Sequence, residues 1–178
     1  NYGMHQRALL VLAIVRQHGD TARYLHTVLD EPGGTVYLGL RTALKSFVWR
    51  DGQPFESPGY NLLWVQNLTG IVELLPKLGV DISTLPRLRR LYDAPLASVV
   101  IGRHTPAIGD TTGVYGGVVG EDAAVYEQAY RTYNDPRYAQ FLAGFGAGGA
   151  EGFKDFASLL HPPIAPIAAP PDGRCVPP

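Results

Sequence analysis

Only one cysteine, Cys175, occurs in the 178 residues. It forms no internal disulfide, so the fold must rest on packing; the compartment stays open, because exported enzymes also do without disulfides. Charge of one sign is lacking too: 15 Lys+Arg stand against 16 Asp+Glu, for a net charge of −1 and a pI near 6.6. That balance argues against a nucleic-acid binder and against an electrostatic tail. It does not exclude an anionic substrate, which a few local cations can hold. The longest apolar run, from Ala8 to Val15, is far short of the ~20 residues that span a bilayer, so no membrane partner is expected. Zinc-type Cys/His spacing, a glycine-rich phosphate loop and a Gly-x-Ser-x-Gly elbow are all missing. No metal ligand or cofactor is therefore assigned to this segment.

What is present is a 46% hydrophobic chain, enough for one sizeable core and, by default, one domain. The pattern is nearly all helix and loop, and the fold class is all-α. Good helix formers run from Met4 to Gln17, apolar nearly all round, as in a helix buried on several sides. A second helix is expected from Thr21 to Leu29 and a third from Thr35 to Trp49, after a Pro32-Gly33-Gly34 turn. Arg50 to Pro54 breaks the pattern, and Ser57-Pro58 restarts it with an N-cap serine and a proline at the first helical position. Further helices are expected from Leu85 to Val100, bent near Pro95, from Glu121 to Tyr133, from Asp135 to Phe145, and briefly from Phe153 to Leu160. Gly102 to Gly120 reads as an ordered loop. From His161 on, nine of the last eighteen residues are Pro, Gly or Asp, the composition of an extended or disordered tail. Helices with apolar sides facing both ways suit a layered array of helix pairs better than a four-helix bundle.

Two short stretches carry chemistry. Asn1-Tyr-Gly-Met-His5-Gln offers an amide and an imidazole, and Phe55-Glu-Ser-Pro-Gly-Tyr60 offers a phenol. These are the groups needed to remove the proton beside a uronic-acid carboxylate. That carbon acid is very weak until hydrogen bonds neutralise the carboxylate and stabilise the enolate. A base must then take the proton and an acid protonate the leaving oxygen, and one tyrosine can do both. With Ser57 as N-cap, Tyr60 falls at the third helical position, near free amide N–H groups and the positive end of the helix dipole. A phenol is only about 0.1% ionised at neutral pH, so that potential matters. The plain alternative is that Tyr60 packs against Trp64 one turn later. Asn1 and His5 share a helix face and can grip a carboxylate together; alternatively Asn1 caps the helix and His5 is an ordinary hydrogen-bonded histidine. Asp51 and Glu56 are a candidate acid/base pair for glycoside hydrolysis. His104 and Asp110 sit in a polar loop that either edges a cleft or merely connects. Arg87, Arg89 and Arg90 read as a solvated basic face.

Asn1 to Gln6, Asp51 to Tyr60 and Thr105 to Asp110, in that order and with helical filler between them, resemble the heparinase II/III-like polysaccharide lyases, including the related alginate lyases. The resemblance covers roughly residues 1 to 145. It implies an incomplete (α/α) toroid whose cleft binds acidic polysaccharide and cleaves it by β-elimination. Residues 1–160 would be the later part of the toroid, and 161–178 a linker toward an antiparallel β-sandwich. Asn1 would match the amide that neutralises the uronate, Tyr60 the base or acid, and His5 the family's histidine. Glu56, Trp64, His104 and Asp110 would line the substrate. A structural metal would belong to the β-domain, and the family places such enzymes in the periplasm or outside the cell. On this reading the first toroid helices and the β-sandwich are missing partners. The piece alone is then expected to be poorly stable and inactive, because apolar helix faces stay uncovered.

Overall fold

The computed structural model describes residues 2–16, 19–33, 38–100, 104–110, 117–119 and 123–144. Among these the chain is all-α, with no strand and two isolated antiparallel bridges, Val48 with Pro54 and His104 with Val118. It divides into two compact units, 1–119 and 120–178. The expected Phe153–Leu160 helix and the tail from His161 lie outside the described residues.

Unit one holds α1 (Met4–Arg16), α2 (Thr21–Asp30), α3 (Leu40–Phe47), α4 (Pro58–Leu74) and α5 (Leu88–Ala97), with a 3-10 turn at Leu75–Leu78 after α4. Neighbours in sequence pack in pairs, α1 on α2 and α2 on α3, and α4 packs on both α1 and α5. α4 is the central element. Asn61, Trp64, Val65, Leu68, Thr69, Gly70, Ile71 and Val72 are buried along it, positions that go round the helix rather than down one stripe. Leu68, Ile71, Leu75, Leu88, Leu91 and Tyr92 are wholly excluded from solvent, each side chain contributing about 1.5–3 kcal/mol by burial.

α1 departs from expectation. Its buried residues are Gln6, Leu10 and Ala13, whereas Met4, Val11, Leu12 and Val15 are exposed. The elements packed on it cover one side only, so an apolar sequence has not produced all-round burial. α3 is shorter than its pattern, beginning at Leu40, because Gly39 is extended and its N–H donates to the Glu31 carbonyl. α5 starts at Leu88 behind Arg87, whose backbone is left-handed, and runs through Pro95 to Ala97.

The basic face is likewise not simply solvated. The Arg87 guanidinium donates to the carbonyls of Leu44, Lys45 and Val48 at the end of α3. There the unsatisfied carbonyls and the helix dipole favour a cation. Arg90 donates to the Arg50 carbonyl. Two of the three arginines thus tie α5 to the segment that leads into α4.

Tyr92 lies within hydrogen-bond distance of Thr69 Oγ1, at 3.2 Å, inside this core. Burial is the main cause that pushes its phenol from 10.0 up to about 12, with the Thr69 contact opposing weakly. The folded chain therefore holds this proton to higher pH than the unfolded chain does. Stability tied to Tyr92 is intact below pH 10 and is lost as pH rises from 10 through about 12. Tyr92→Phe is expected to flatten part of that alkaline loss, read as the urea midpoint against pH. An identical pH slope in the variant would remove Tyr92 from the account.

Unit two holds α6 (Ala123–Tyr133) and α7 (Pro136–Gly144), packed on each other. Tyr126 faces Tyr138 and Phe141 at ring separations of 6.1 and 4.7 Å. Asp135, buried, accepts the Arg137 backbone N–H at 2.9 Å and pairs with its guanidinium at 2.7 Å. The acid caps the start of α7 and meets the positive helix end.

Candidate active site

The two motif segments are brought to one helix. At the first, Gly3 is the residue before α1, and its N–H is accepted by Gln6 Oε1 at 3.2 Å, a side chain reaching back over the first turn as in a capping box. Gln6 Nε2 and the Tyr2 hydroxyl both donate to the Leu38 carbonyl, at 3.0 and 2.9 Å. Burial pushes the Tyr2 phenol up, so it is a donor rather than a base. Asn67 of α4 donates to the Tyr2 carbonyl at 3.2 Å, and the Tyr2 ring stacks on Trp64 at 4.8 Å. Gly3 has a φ of 105°, and a Cβ there would lie 2.7 Å from Asn67 Cβ. Only glycine lets the motif sit this close to α4.

The second motif follows a tight reversal. Trp49 N–H donates to the Gln53 carbonyl at 2.8 Å and Phe55 N–H to the Phe47 carbonyl at 3.1 Å. This folds Phe55 back onto Phe47, with ring centres 4.8 Å apart. Gln53 then registers the turn, donating to the Ala94 carbonyl at 3.2 Å and accepting from Asn61 at 2.6 Å. Ser57 is the N-cap residue of α4 with Pro58 in the first turn, as expected, but its hydroxyl makes no cap bond. It donates instead to the Asp110 carbonyl at 2.5 Å, pinning the 104–110 loop over the helix start. That loop is anchored by buried Thr105, whose N–H donates to the Gly117 carbonyl at 2.9 Å.

The result is a cleft of about 570 Å³ lined by Glu56, Ser57, Pro58, Tyr60, Ile108, Gly109 and Asp110. Tyr60 is half-buried. A second cleft of about 290 Å³ is lined by Tyr2, His5, Gln6, Leu38, Phe47, Phe55, Glu56 and Trp64. Glu56 belongs to both, so the two adjoin. The first therefore collects Tyr60, Glu56 and Asp110, and the second His5, Glu56 and Trp64. Asn1 lies outside the described residues. His104 lines neither cleft; its carbonyl accepts the Val100 N–H at 3.0 Å. Asp51 lines neither cleft; its carboxylate accepts the Gln53 N–H at 3.0 Å and serves the turn. Trp64 faces Tyr2 in a ring stack and lines the second cleft, whereas Tyr60 lines the first.

The indole N–H of Trp64 is buried and has no acceptor among the described residues, a state that costs about 1–3 kcal/mol. Among the described residues no group of three His, Cys, Asp or Glu is placed to hold a metal ion, and no helix is long and apolar enough to cross a membrane. Sequence reasoning did not single out Tyr2, Phe47, Phe55 or Ile108 as lining residues. Tyr2 meets Trp64 and Leu38 from distant segments, with only the adjacent glycine as a hint, and Phe47 meets Phe55 through the local reversal. No family model, no curated protein and no solved structure matches this chain.

Proposed function

We propose that the chain is part of an (α/α)-toroid polysaccharide lyase that cleaves uronic-acid-containing polymers by β-elimination. The observation that carries the reading is Tyr60, on the first turn of α4, opening into a cleft that adjoins the His5 cleft through Glu56. A sugar ring lying across Glu56 meets a phenol on one side and the imidazole of the first motif on the other. Tyr60 takes the proton beside the carboxylate and returns it to the leaving glycosidic oxygen. His5, with Asn1, neutralises the carboxylate so that the enolate can form.

The electrostatics set the orientation. The Tyr60 cleft carries Glu56 and Asp110 and, among the described residues, no Lys or Arg in its lining. A uronate carboxylate is repelled there, at about 1–4 kcal/mol per close charge pair. Glu56 lines both clefts, so Asp110 is what distinguishes them: the substrate turns its hydroxyls to Asp110, which accepts their hydrogen bonds, and its carboxylate toward His5.

One observation favours a second reading, glycoside hydrolysis. Asp51 serves the turn, whereas Glu56 and Asp110 line one cleft and offer it two carboxylates, the residue types that hydrolysis uses. Incubation of the full-length parent with uronate polymers separates the two. Elimination leaves a conjugated double bond with strong ultraviolet absorbance, and hydrolysis leaves a new reducing end without it. Saturable polymer binding with neither product identifies a binding toroid that does no chemistry. Periplasmic or extracellular residence and a β-sandwich partner belong to the same reading.

A further inference from the structure

Ser57 holds the N-cap position of α4 but makes no cap bond there. Its hydroxyl donates to the Asp110 carbonyl at 2.5 Å instead. A serine at this position ordinarily accepts from one of the first free amide N–H groups of its helix. A rotation about χ1 separates the two arrangements, and each supplies one ordinary hydrogen bond.

The loop that the hydroxyl reaches is fastened unequally. At its base Thr105 is buried, its N–H donates to the Gly117 carbonyl at 2.9 Å, and its hydroxyl accepts the Gly117 N–H at 2.9 Å. Gly117 lies so close to α4 that a Cβ there would meet Leu62 Cδ1 at 2.5 Å and Gly59 Cα at 3.1 Å. The tip is different. Ala107, Ile108, Gly109 and Asp110 are exposed. Among the described residues, the Ser57 hydroxyl makes the one hydrogen bond from α4 to residues 106–110. Lifting the tip breaks that bond and uncovers little apolar surface, since Ile108 is already 64% exposed. Such a segment opens locally while its base stays shut. Residues 108–110 are also one wall of the Tyr60 cleft.

We propose that Ser57 is a two-position latch on the Tyr60 cleft. Donating to Asp110, it holds the 108–110 wall against the start of α4. Turned to its own helix, it caps α4 and frees the wall, which widens the way to Tyr60. Ser57 is a positioning residue and touches no reacting atom. The latch goes beyond the lyase reading: it needs Tyr60 and residues 108–110 to share a cleft, whatever the chemistry there.

Three rates in the full-length parent test it, each read by peptide mass spectrometry. Thermolysin cleavage before Ile108 reports the opened tip, since a protease cuts the population that has lifted. Nitration of Tyr60 by tetranitromethane reports access to the phenol. Hydrogen exchange at Thr105 and Gly117 reports the base. Ser57→Ala is expected to speed cleavage about 3- to 10-fold, the worth of one hydrogen bond, and to speed Tyr60 nitration similarly, with the base unchanged. Ser57→Thr keeps the hydroxyl and should restore both rates. Ser57→Asp accepts from helix amides but cannot donate to a carbonyl, so it should free the tip as Ser57→Ala does while slowing exchange of the Tyr60 amide. Cleavage unchanged in Ser57→Ala overturns the latch. So does faster exchange at the base, which would make Ser57 a plain structural anchor, and so does a freed tip with Tyr60 nitration unchanged. None of the three rates needs turnover. A parent that makes no unsaturated product leaves the latch standing, and a failed latch leaves the lyase reading standing.

Discussion

In the full-length parent, replacing Tyr60 with phenylalanine is expected to cut formation of the unsaturated product by about a thousandfold, within the 10²–10⁴ range of positioned acid–base groups, and to leave oligosaccharide binding intact. The variant removes one oxygen. The ring keeps its place on the first turn of α4, where Pro58 presets the backbone and Ser57 holds the loop through the Asp110 carbonyl. Tyr60 is half-buried, so no buried partner loses its hydrogen bond and the fold should not notice. In kinetic terms kcat falls with KM unchanged, the signature of an interaction made only in the transition state. Unchanged turnover would take Tyr60 out of the chemistry. Lost binding together with a lowered thermal midpoint would give it a structural role instead.

The fold class was legible because helix signals are local. Ser57-Pro58 marked the start of α4 to the residue, and the start of α1 and both ends of α2 fell within one residue of their patterns. Burial was less legible. α1 and α4 are both apolar nearly all round, yet α4 is enclosed by neighbours and α1 leaves Val11, Leu12 and Val15 in solvent. Periodicity reports which faces can be buried; which faces are covered depends on elements far away in the chain. The same holds for the site. Tyr60, Glu56 and Asp110 were nominated from motifs, and the Ser57 to Asp110 hydrogen bond joins their segments across 53 positions. His104 was nominated on equal grounds and lines neither cleft, while its backbone pairs with Val118. Nothing in the residue type of Arg87 said that its guanidinium would cap α3, because that depends on a left-handed backbone at its own position.

Gly52→Ala is expected to destabilise unit one by about 2–5 kcal/mol, adding strained backbone to an overpacked contact. At about 2–4 °C of thermal midpoint per kcal/mol, the loss amounts to roughly 10 °C. Gly52 has a φ of 96°, and a Cβ there would overlap the Arg90 carbonyl group. That obstacle is backbone within α5, held by the helix and by the Arg90 bond to the Arg50 carbonyl, so it cannot swing away as a side chain would. Gly70→Ala is the control. There the atoms in the way belong to the end of the Arg7 side chain, with Nε 2.7 Å from the new Cβ, and a flexible guanidinium can move, so little stability is lost. The effect of Gly52→Ala should extend to the site. The turn carries Gln53, which binds both the Ala94 carbonyl and Asn61 next to Tyr60. Pushing the turn off α5 shifts the first turn of α4 and with it the phenol, so turnover should fall even below the melting transition. Thermal unfolding of the chain and initial rates of the full-length parent at low temperature measure the two effects separately. A midpoint equal to that of Gly70→Ala would mean that the turn yields freely, and that the close approach to Arg90 does not hold Tyr60 in position.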